Sequence, residues 1–380
     1  MARRLVAAGH EVNLITSSRE LTESVNWYMT VEEGIKVHWY PVPYSNHMSY
    51  FRRILAFLQF AVASARKAAS IKADVIFATS TPLTIVFPGI YATWRQRVPL
   101  IFEVRDMWPA VPIAMGILKN SVLIRVAEWM EKLAYRRAQQ VVALAPGMRD
   151  DIISTGVEPE KVTVIPNGCD LNIFGADLSA EVSDLRERHA WLHSRQLVLF
   201  AGTLGRANGV DYLVKVAMNM TTIDPDVRFA IIGDGAERER IETDAEKSGV
   251  LDKTLFMFHS MPKEELAVWI AASDFTAGLF SGPRVLWKDA VQNKFFDSVS
   301  AGKPIVCNFA GYQSELAVQH DIGLIIASDN PKLAATQLHD KLNDYSWLSS
   351  VKPKAKQLAV GDFNRDLLAK KLEQVLLSAI

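Results

Sequence analysis

The sequence has little cysteine, no excess of charge of either sign and no long apolar run in its first part. Its two cysteines, Cys169 and Cys307, lie far apart without a CxxC pair or zinc-type histidine spacing, so neither a disulfide framework nor a cysteine zinc site is expected. The 42 basic residues balance the 42 acidic ones, which argues against a nucleic-acid partner. The apolar run over residues 54–65 is too short to span a bilayer. With no signal peptide expected, these absences favour a cytoplasmic protein.

What the chain does have is length and a regular alternation of strand and helix patterns. A length of 380 residues predicts two domains. Several strand patterns are continuous apolar runs, as expected where both faces of a parallel sheet are covered. The alternation therefore predicts an α/β fold with two doubly wound sheets. The expected strands are 11–16, 35–42, 74–79, 99–104, 140–144 and 161–165 in the first half, and 197–201, 227–232, 254–258, 275–278, 304–307 and 323–326 in the second.

The Pro-Asn-Gly turn near residue 167 marks the expected domain junction. We predict a first domain over 1–170, a second over 171–362, and a C-terminal helix within 363–380 that packs on either one. The sequence begins with a helix pattern that stops at Gly9, so we expect either that the first domain lacks its first strand or that the chain is a fragment. The apolar face of the last helix is expected at Leu367, Leu368, Leu372, Val375 and Leu376.

The segment "WKDAVQNKFFDSVSAGKPIVCNF" (287–309) combines an apolar helix face with a row of polar residues. Asp289 suits the N-cap, and Gly302 suits the position just past the end of the helix. Asn293, Lys294 and Asp297 share a face. A helix N-terminus and a lysine in the second turn would attract a diphosphate, and Asp297 would accept hydrogen bonds from a ribose diol. The alternative is an exposed ion pair of little energetic value.

Glycines follow two strands of the second half, in "VLFAGTLGRANGVDYL" and "AIIGDGAERERI". Small residues at a strand end let backbone amides approach an anion, although glycines that merely shape a turn give the same pattern. The third glycine of the dinucleotide fingerprint is missing, which argues against a dehydrogenase. His259 follows another strand and is a candidate for a base pocket or an ordinary loop residue. The candidate anion-binding residues here are Gly202, Thr203, Gly205, Arg206 and Gly233.

In the first half, "PLIFEVRDMWP" places Arg105 and Asp106 just after a buried strand. Ligands of open α/β sheets bind at this end of strands, which makes both residues candidates for the site. The alternative is a buried structural ion pair. Glu103 alternates with Val104 and is a further polar group at this strand end.

Residues 49–73 contain five basic residues and no acidic one. An apolar face of Leu55, Leu58 and Val62, beside the basic residues Arg52, Arg66 and Lys67, is typical of a helix that lies on an anionic membrane surface. The alternative is a helix that covers the first sheet. Residues 43–51, with three aromatic side chains, are expected to form an exposed lip that touches lipid.

Together these segments resemble glycosyltransferase family 4, the retaining nucleotide-sugar transferases of GT-B fold, and above all its WbuB-like branch in O-antigen and capsule pathways. The resemblance implies two Rossmann-like domains facing across a cleft, the second of which binds the nucleotide and the first the acceptor. It also implies catalysis without a metal or other cofactor. It is carried by "ARRLVAAGHEVNLIT", "ADVIFATSTPL", "FEVRDMWP", "VVALAPGMRDDIISTGVEPEKVTVIPNGCD", "FAGTLGRANGVDYL", "FAIIGDGAE" and "NKFFDSVSAGKPIV".

By motif position, the resemblance assigns Asp297 to the ribose and Asp289, the first acid of the E-x7-E pair, to the donor sugar. Gly202, Thr203 and Gly205 match the loop near the diphosphate, and Asn293 and Lys294 lie in the branch's "PNKLFDY"-like segment. The lysine that many members place in that loop is Asn208 here, so Arg206 or Lys294 must neutralise the phosphates. The His-Asp of other members is Arg105-Asp106, as is typical of this branch, and Asp106 is expected to orient the acceptor.

The expected function is transfer of a sugar, most simply from a UDP-linked donor, to a lipid-linked or saccharide acceptor at the cytoplasmic face of the membrane. Two alternatives stay open on the sequence. One is a GT-B epimerase of UDP-N-acetylhexosamine, and the other is a nucleotide-binding remnant without activity.

Overall fold

The computed structural model describes residues 1–18, 26–42, 50–80 and 82–380, without the side chains of residues 50, 51 and 53. The chain divides into two compact units. The first unit contains Met1–Pro166 together with Asp366–Ile380, and the second contains Asn167–Arg365.

The first unit contains two separate sheets where the sequence predicted one. β1, β3 and β2 form a sheet in that order, with β1 parallel and β2 antiparallel to β3. The other four strands form a parallel sheet in the order β4-β5-β6-β7. The strands are β1 (Asn13–Ser18), β2 (Tyr28–Glu32), β3 (Ile35–Pro41), β4 (Ile76–Thr79), β5 (Leu100–Val104), β6 (Gln140–Ala143) and β7 (Val162–Val164).

Strand β2 was missed at the sequence level. It pairs with β3 through a tight turn in which Glu33 and Gly34 both have positive φ, 51° and 81°. Turns of this kind match the right-handed twist of a two-stranded hairpin. The Glu-Gly pair between two aromatic and β-branched runs was the signal that would have revealed it.

The helices before the domain junction cover these sheets. They are α1 (Ala2–Ala7), α2 (Tyr50–Ser70), α3 (Val86–Gln96), α4 (Ala110–Ala114), α5 (Ser121–Arg137) and α6 (Pro146–Ser154). None of the helices in the described residues is long and apolar enough to cross a membrane.

Helix α2 covers the first unit through small residues, and the apolar face predicted at Leu55, Leu58 and Val62 points outward. Ala56, Ala61 and Ser64 are buried, whereas Leu55 and Val62 are about half exposed, at 49% and 55%. The side chain of Leu58 is also about half exposed, at 45%. Small residues face the neighbouring elements because they allow close packing, so the larger apolar side chains point outward. The predicted lipid-contacting lip over 43–51 lies almost wholly outside the described residues.

The second unit is built on one parallel sheet in the order β10-β9-β8-β11-β12-β13. Its strands are β8 (Leu197–Ala201), β9 (Arg228–Ile232), β10 (Leu255–Phe258), β11 (Phe275–Gly278), β12 (Ile305–Cys307) and β13 (Gly323–Ile325). Its helices are α7 (Leu171–Phe174), α8 (Ser179–Arg188), α9 (Asp211–Met220), α10 (Arg238–Lys247), α11 (Lys263–Ala272), α12 (Asn293–Ala301), α13 (Tyr312–Gln319), α14 (Pro331–Leu342) and α15 (Tyr345–Val360).

The order in which strands are added reverses between β8 and β11. From β8 the chain adds β9 and then β10 toward one edge of the sheet, and it then returns to add β11, β12 and β13 on the opposite side of β8. The sheet is buried on both faces; Phe200, Phe229 and Phe275 are fully buried within it. Such a reversal opens a crevice at the carboxyl ends of the strands, where ligands of open α/β sheets bind. The prediction of doubly wound α/β architecture is thus confirmed for this unit.

The last helix, α16 (Arg365–Leu377), packs on the parallel sheet of the first unit. Leu368, Leu372 and Val375 are buried there against Ile101 of β5 and Val142 of β6. The prediction that Leu367 belongs to this apolar face is wrong, since that side chain is 52% exposed.

Helix α12 begins three residues later than expected. Its N-cap is Gln292 and its first residue is Asn293, so the prediction of Asp289 as N-cap is wrong and Lys294 lies in the first turn rather than the second. The predicted end is confirmed: Gly302 follows the helix in the left-handed conformation, at φ 70°.

Candidate functional site

Two glycines bring the carboxyl ends of β8 and β9 into close contact. Gly202 follows β8 at φ 147° and donates its backbone N–H to Ile232 O at 2.9 Å. Gly233 follows β9 at φ 154°, and a Cβ atom there would lie 1.9 Å from Gly202 O. No other residue fits at position 233, so these glycines have a structural reason to be present beside any role toward a ligand.

The loop after Gly202 leaves its polar groups on the surface. Thr203 and Arg206 are exposed, and Gly205 precedes the short helical turn Arg206–Asn208. The Asn208 side chain, at the position where the resemblance led us to expect lysine, donates to Thr203 O at 2.9 Å. It therefore stabilises the loop and supplies no charge to a phosphate.

The N-terminus of α12 is held by glutamines that the sequence analysis did not single out. Gln292 donates its backbone N–H to Oε1 of Gln313 at 2.8 Å and its side-chain amide to Leu279 O at 3.0 Å. Gln313 is fully buried. A buried polar side chain needs partners, so this network fixes where α12 begins. The two residues are 21 positions apart, which no local pattern reveals.

Lys294 is the most unusual group at this edge of the sheet. Its Nζ is excluded from solvent and has no hydrogen-bond partner among the described residues. It lies 3.6 Å from the centre of the Phe200 ring, and a Cβ built on Gly202 would be 3.2 Å from it. The side chain as a whole is only half-buried, but removal of the amine from water lowers its pKa to about 7.

A buried amine without a partner is costly, and natural proteins usually pair such groups. Lys294 lies where β8 ends, at the reversal of strand order, and one residue into a helix whose free N–H groups attract anions. The geometry therefore suits a negatively charged group bound at this point. Asn293, the first residue of α12, is exposed beside it.

Asp297 lies one turn further along α12. Burial raises its pKa to about 6, and Lys263 and Arg365 oppose that shift. Next to it, Arg365 binds Asp170 at 2.7 Å and donates to Gly168 O at 2.6 Å, while the Cys169 thiol donates to Phe296 O at 3.4 Å. The Pro-Asn-Gly segment is thereby fastened beside the carboxyl group that the resemblance assigns to a ribose.

His259 lies at the carboxyl end of β10 and is paired with a carboxylate that was not predicted. Its Nδ1 is 2.7 Å from Asp234 Oδ1, and Ser260 donates its backbone N–H to Asp234 Oδ2 at 2.8 Å. These hydrogen bonds hold the pKa of Asp234 well below its usual range. The imidazole is 77% exposed, so its free edge is open to a ligand.

Asp289 lies in the loop before α12. Its side chain is only 14% exposed and pairs with Lys288 at 3.3 Å. It neither caps α12 nor pairs with Lys294, because three residues separate it from Asn293, the first residue of the helix.

In the first unit, Arg105 and Asp106 follow β5 as predicted, and both are exposed. The alternative of a buried Arg105–Asp106 pair is wrong. Arg105 instead lies 3.5 Å from Glu103, which also accepts a hydrogen bond from Thr79 at 2.6 Å.

Two family models together match almost the whole chain. Residues 1–168 match a glycosyl transferase 4-like domain, and residues 181–358 match the glycosyl transferases group 1. The chain belongs to the group 1 glycosyltransferases. The resemblance stated from the sequence and the expectation of a transferase are thereby confirmed.

A curated relative of this glycosyltransferase is the putative colanic acid biosynthesis glycosyl transferase WcaI of Escherichia coli K12. The two are 24% identical over 274 residues, which cover 68% of this chain and 67% of the relative.

Solved structures share the fold. HepE of Anabaena in complex with UDP has a TM-score of 0.72 and 16% identity, covering 97% of this chain and all of the other. WaaG, a glycosyltransferase involved in lipopolysaccharide biosynthesis, has a TM-score of 0.69 and 15% identity over 99% of this chain and 93% of the other. These likenesses confirm the GT-B fold class.

Proposed function

We propose that this glycosyltransferase moves a sugar from a UDP-linked donor to a lipid-linked or saccharide acceptor in cell-surface polysaccharide synthesis, with retention at the anomeric carbon. The observation that carries the donor assignment is Lys294, whose buried Nζ has no partner among the described residues. UDP in the structure of HepE supports the choice of nucleotide, and the names of WcaI and WaaG support the choice of pathway class.

The successive groups of the donor would bind along one edge of the six-stranded sheet of the second unit, at the carboxyl ends of its strands. Lys294 and the N–H groups of the first turn of α12 would bind the diphosphate, together with the loop of Gly202, Thr203 and Gly205. Asp297 would accept hydrogen bonds from the ribose. The exposed imidazole of His259 is the candidate contact for the base, and Gly233 shapes the backbone beneath it.

The chemical step needs charge stabilisation, because the leaving nucleoside diphosphate gains negative charge as the sugar departs. A cation and helix N–H groups fixed in place before the reaction provide it without reorganisation. Lys294 is the primary candidate for that cation, and exposed Arg206 is the second. Asp289 would contact the donor sugar. Transfer without a metal stays a prediction.

On the acceptor side, Asp106 is proposed to orient the attacking hydroxyl, with Arg105 beside it. Retention would require that hydroxyl to approach from the face that the diphosphate leaves. The exposure of both side chains allows such contacts. A lipid-linked acceptor would place the enzyme at the cytoplasmic face of a membrane.

The test is to follow UDP-glucose and UDP-N-acetylhexosamines with and without a lipid-linked acceptor, after a thermal-shift screen of UDP-, GDP- and ADP-sugars. We expect a UDP-sugar to raise the melting temperature and its sugar to be transferred only when the acceptor is present. Asp106→Asn should lower transfer while leaving the thermal shift intact.

Two other outcomes would contradict the proposal. A change in the configuration of the donor sugar without any acceptor would favour an epimerase. Nucleotide binding without turnover of any donor would favour a binding remnant.

A further inference from the structure

Helices α2, α3 and α5 lie side by side in the first unit. The side chain of Gln96, at the end of α3, donates to Ala68 O of α2 at 2.8 Å. Phe87 of α3 and Trp129 of α5 bring their ring centres within 6.4 Å. The outer surfaces of the three helices therefore form one continuous face, which we name the α2–α3–α5 face.

Large apolar side chains point outward along this face. On α2 they are Ile54, Leu55, Leu58 and Val62. On α3 and α5 as well, exposed apolar residues recur every three or four positions. Each of these helices therefore presents one row of apolar side chains to the outside. Two tryptophans stand out, Trp94 at 69% exposure and Trp129 at 55%. The other large exposed members are Phe87 and Tyr91 on α3, and Val122, Leu123 and Val126 on α5.

The segments that form these helices also carry many charged side chains, and most of these are positive. Residues 50–72, 86–97 and 119–137 contain twelve Lys and Arg residues and only two acidic ones, in a chain whose formal net charge is zero. On α5 a surface groove of about 330 Å³ around Trp129 is lined by three cations, Arg125, Lys132 and Arg136, and one acid, Glu128, with Leu133 beside them.

We propose that the α2–α3–α5 face docks on a bilayer that contains anionic phospholipid. Tryptophan and tyrosine favour the interface between lipid and water, where ring and polar edge are both satisfied. Basic residues beside them are attracted to anionic headgroups. The proposal deepens the proposed function, on which it rests only for the expectation that the acceptor is held in a membrane.

A bilayer is a better occupant than a second copy of the chain. Two such faces would bring many like charges together, which is strongly unfavourable. Anionic lipid matches both the apolar stripes and the positive charge. The match in charge is therefore the argument that selects the partner.

The first test is sedimentation of the full chain with vesicles made of equal parts phosphatidylglycerol and phosphatidylcholine, compared with phosphatidylcholine alone. We expect binding to the anionic vesicles only, weakened by added salt. The variant Arg125→Gln/Lys132→Gln/Arg136→Gln should bind roughly 100-fold more weakly, at about fivefold per cation. The control Lys253→Gln/Lys332→Gln/Lys356→Gln removes the same charge from exposed positions of the second unit and should bind normally.

A second variant tests the apolar part. Trp94→Ser/Trp129→Ser keeps every cation and should reduce vesicle binding by at least tenfold, with the remaining binding more sensitive to salt. Light scattering of the same protein without vesicles checks for the alternative occupant. If this variant changes the oligomeric state of the free protein, the face joins copies of the chain and the proposal is overturned.

Failure of this proposal is separable from failure of the proposed function. Equal sedimentation of the wild type and the triple α5 variant would overturn the docking surface, whatever the donor assay shows. Absence of any UDP-sugar binding would overturn the proposed function while leaving the vesicle result to stand alone.

Discussion

The second unit relies on one cation, Lys294, whose Nζ is kept out of water at the reversal of strand order. In the first unit, the segments that form the α2–α3–α5 face contain twelve cations and also carry exposed apolar side chains. A buried charge acts at short range and is weakly screened, whereas exposed charges act together and are weakened by salt. The first arrangement suits recognition of one anionic group, and the second suits attraction to a surface that carries many.

The largest expected effect concerns the backbone under the donor site. Gly233→Ala should lower the free energy of unfolding by roughly 3–5 kcal/mol, because its Cβ would overlap Gly202 O at a backbone angle that alanine avoids. Urea denaturation of the wild type and the variant measures this loss of unfolding free energy. Gly249→Ala is the matched control: it has positive φ but nothing within 4 Å, so roughly 1 kcal/mol is expected. Equal losses in both variants would show that the contact between the β8 and β9 ends is unimportant.

The next effect concerns the buried cation itself. Lys294→Met keeps the shape of the side chain and should weaken UDP binding roughly 10- to 100-fold, as expected for loss of a charge-assisted hydrogen bond. The unliganded protein should be as stable as the wild type or more stable, because an unpaired buried amine has been removed. Calorimetry and thermal unfolding measure the two quantities. Lys253→Met removes an exposed cation of the same unit and should leave UDP affinity unchanged.

A smaller effect is expected from Asp297. Its pKa of about 6 means that its carboxyl group gains a proton as the pH falls through that value, and one acceptor for the ribose is then lost. The affinity for UDP should fall several-fold below about pH 6. Asp297→Asn should bind more weakly at neutral pH and lose this dependence. A wild-type affinity that stays constant between about pH 5 and 7 would contradict the assignment.

The smallest effect is expected on the outer face of the first unit. Trp94→Ser should change the free energy of unfolding by no more than about 0.5 kcal/mol, since the indole is 69% exposed. Trp269→Ser is the contrast, because that indole is 2% exposed and its loss should cost roughly 3–5 kcal/mol. A large loss from Trp94→Ser would mean that the α2–α3–α5 face contributes to the fold and is not reserved for a partner.

Much of the fold was predictable because it depends on local patterns. Every strand expected from an apolar run is present, and Gly302 ends α12 as its type and position indicated. The antiparallel strand β2 was missed because it is short and mostly exposed. The buried side of α2, made of small residues, was not predicted, because periodicity shows that a helix has faces, while packing decides which of them is covered.

The candidate site was predictable in its residue types and less so in its environment. The sequence placed Lys294 near a helix start but could not reveal that its amine is buried. The start of α12 was predicted at Asp289, whereas Gln292 and distant Gln313 determine it. The Asp234–His259 pair was also missed, because its members follow different strands and meet only in the folded sheet.

The central claim is that Lys294 is kept out of water because its partner is the diphosphate of the donor. Its pKa of about 7 means that the free amine is largely neutral at about pH 8, and a bound diphosphate would favour the charged form. Calorimetry of UDP binding at about pH 8, in two buffers of different ionisation enthalpy, measures the protons taken up. We predict uptake of nearly one proton by the wild type and none by Lys294→Arg, whose guanidinium is always charged. Equal uptake by both proteins, or none by the wild type, would contradict the claim.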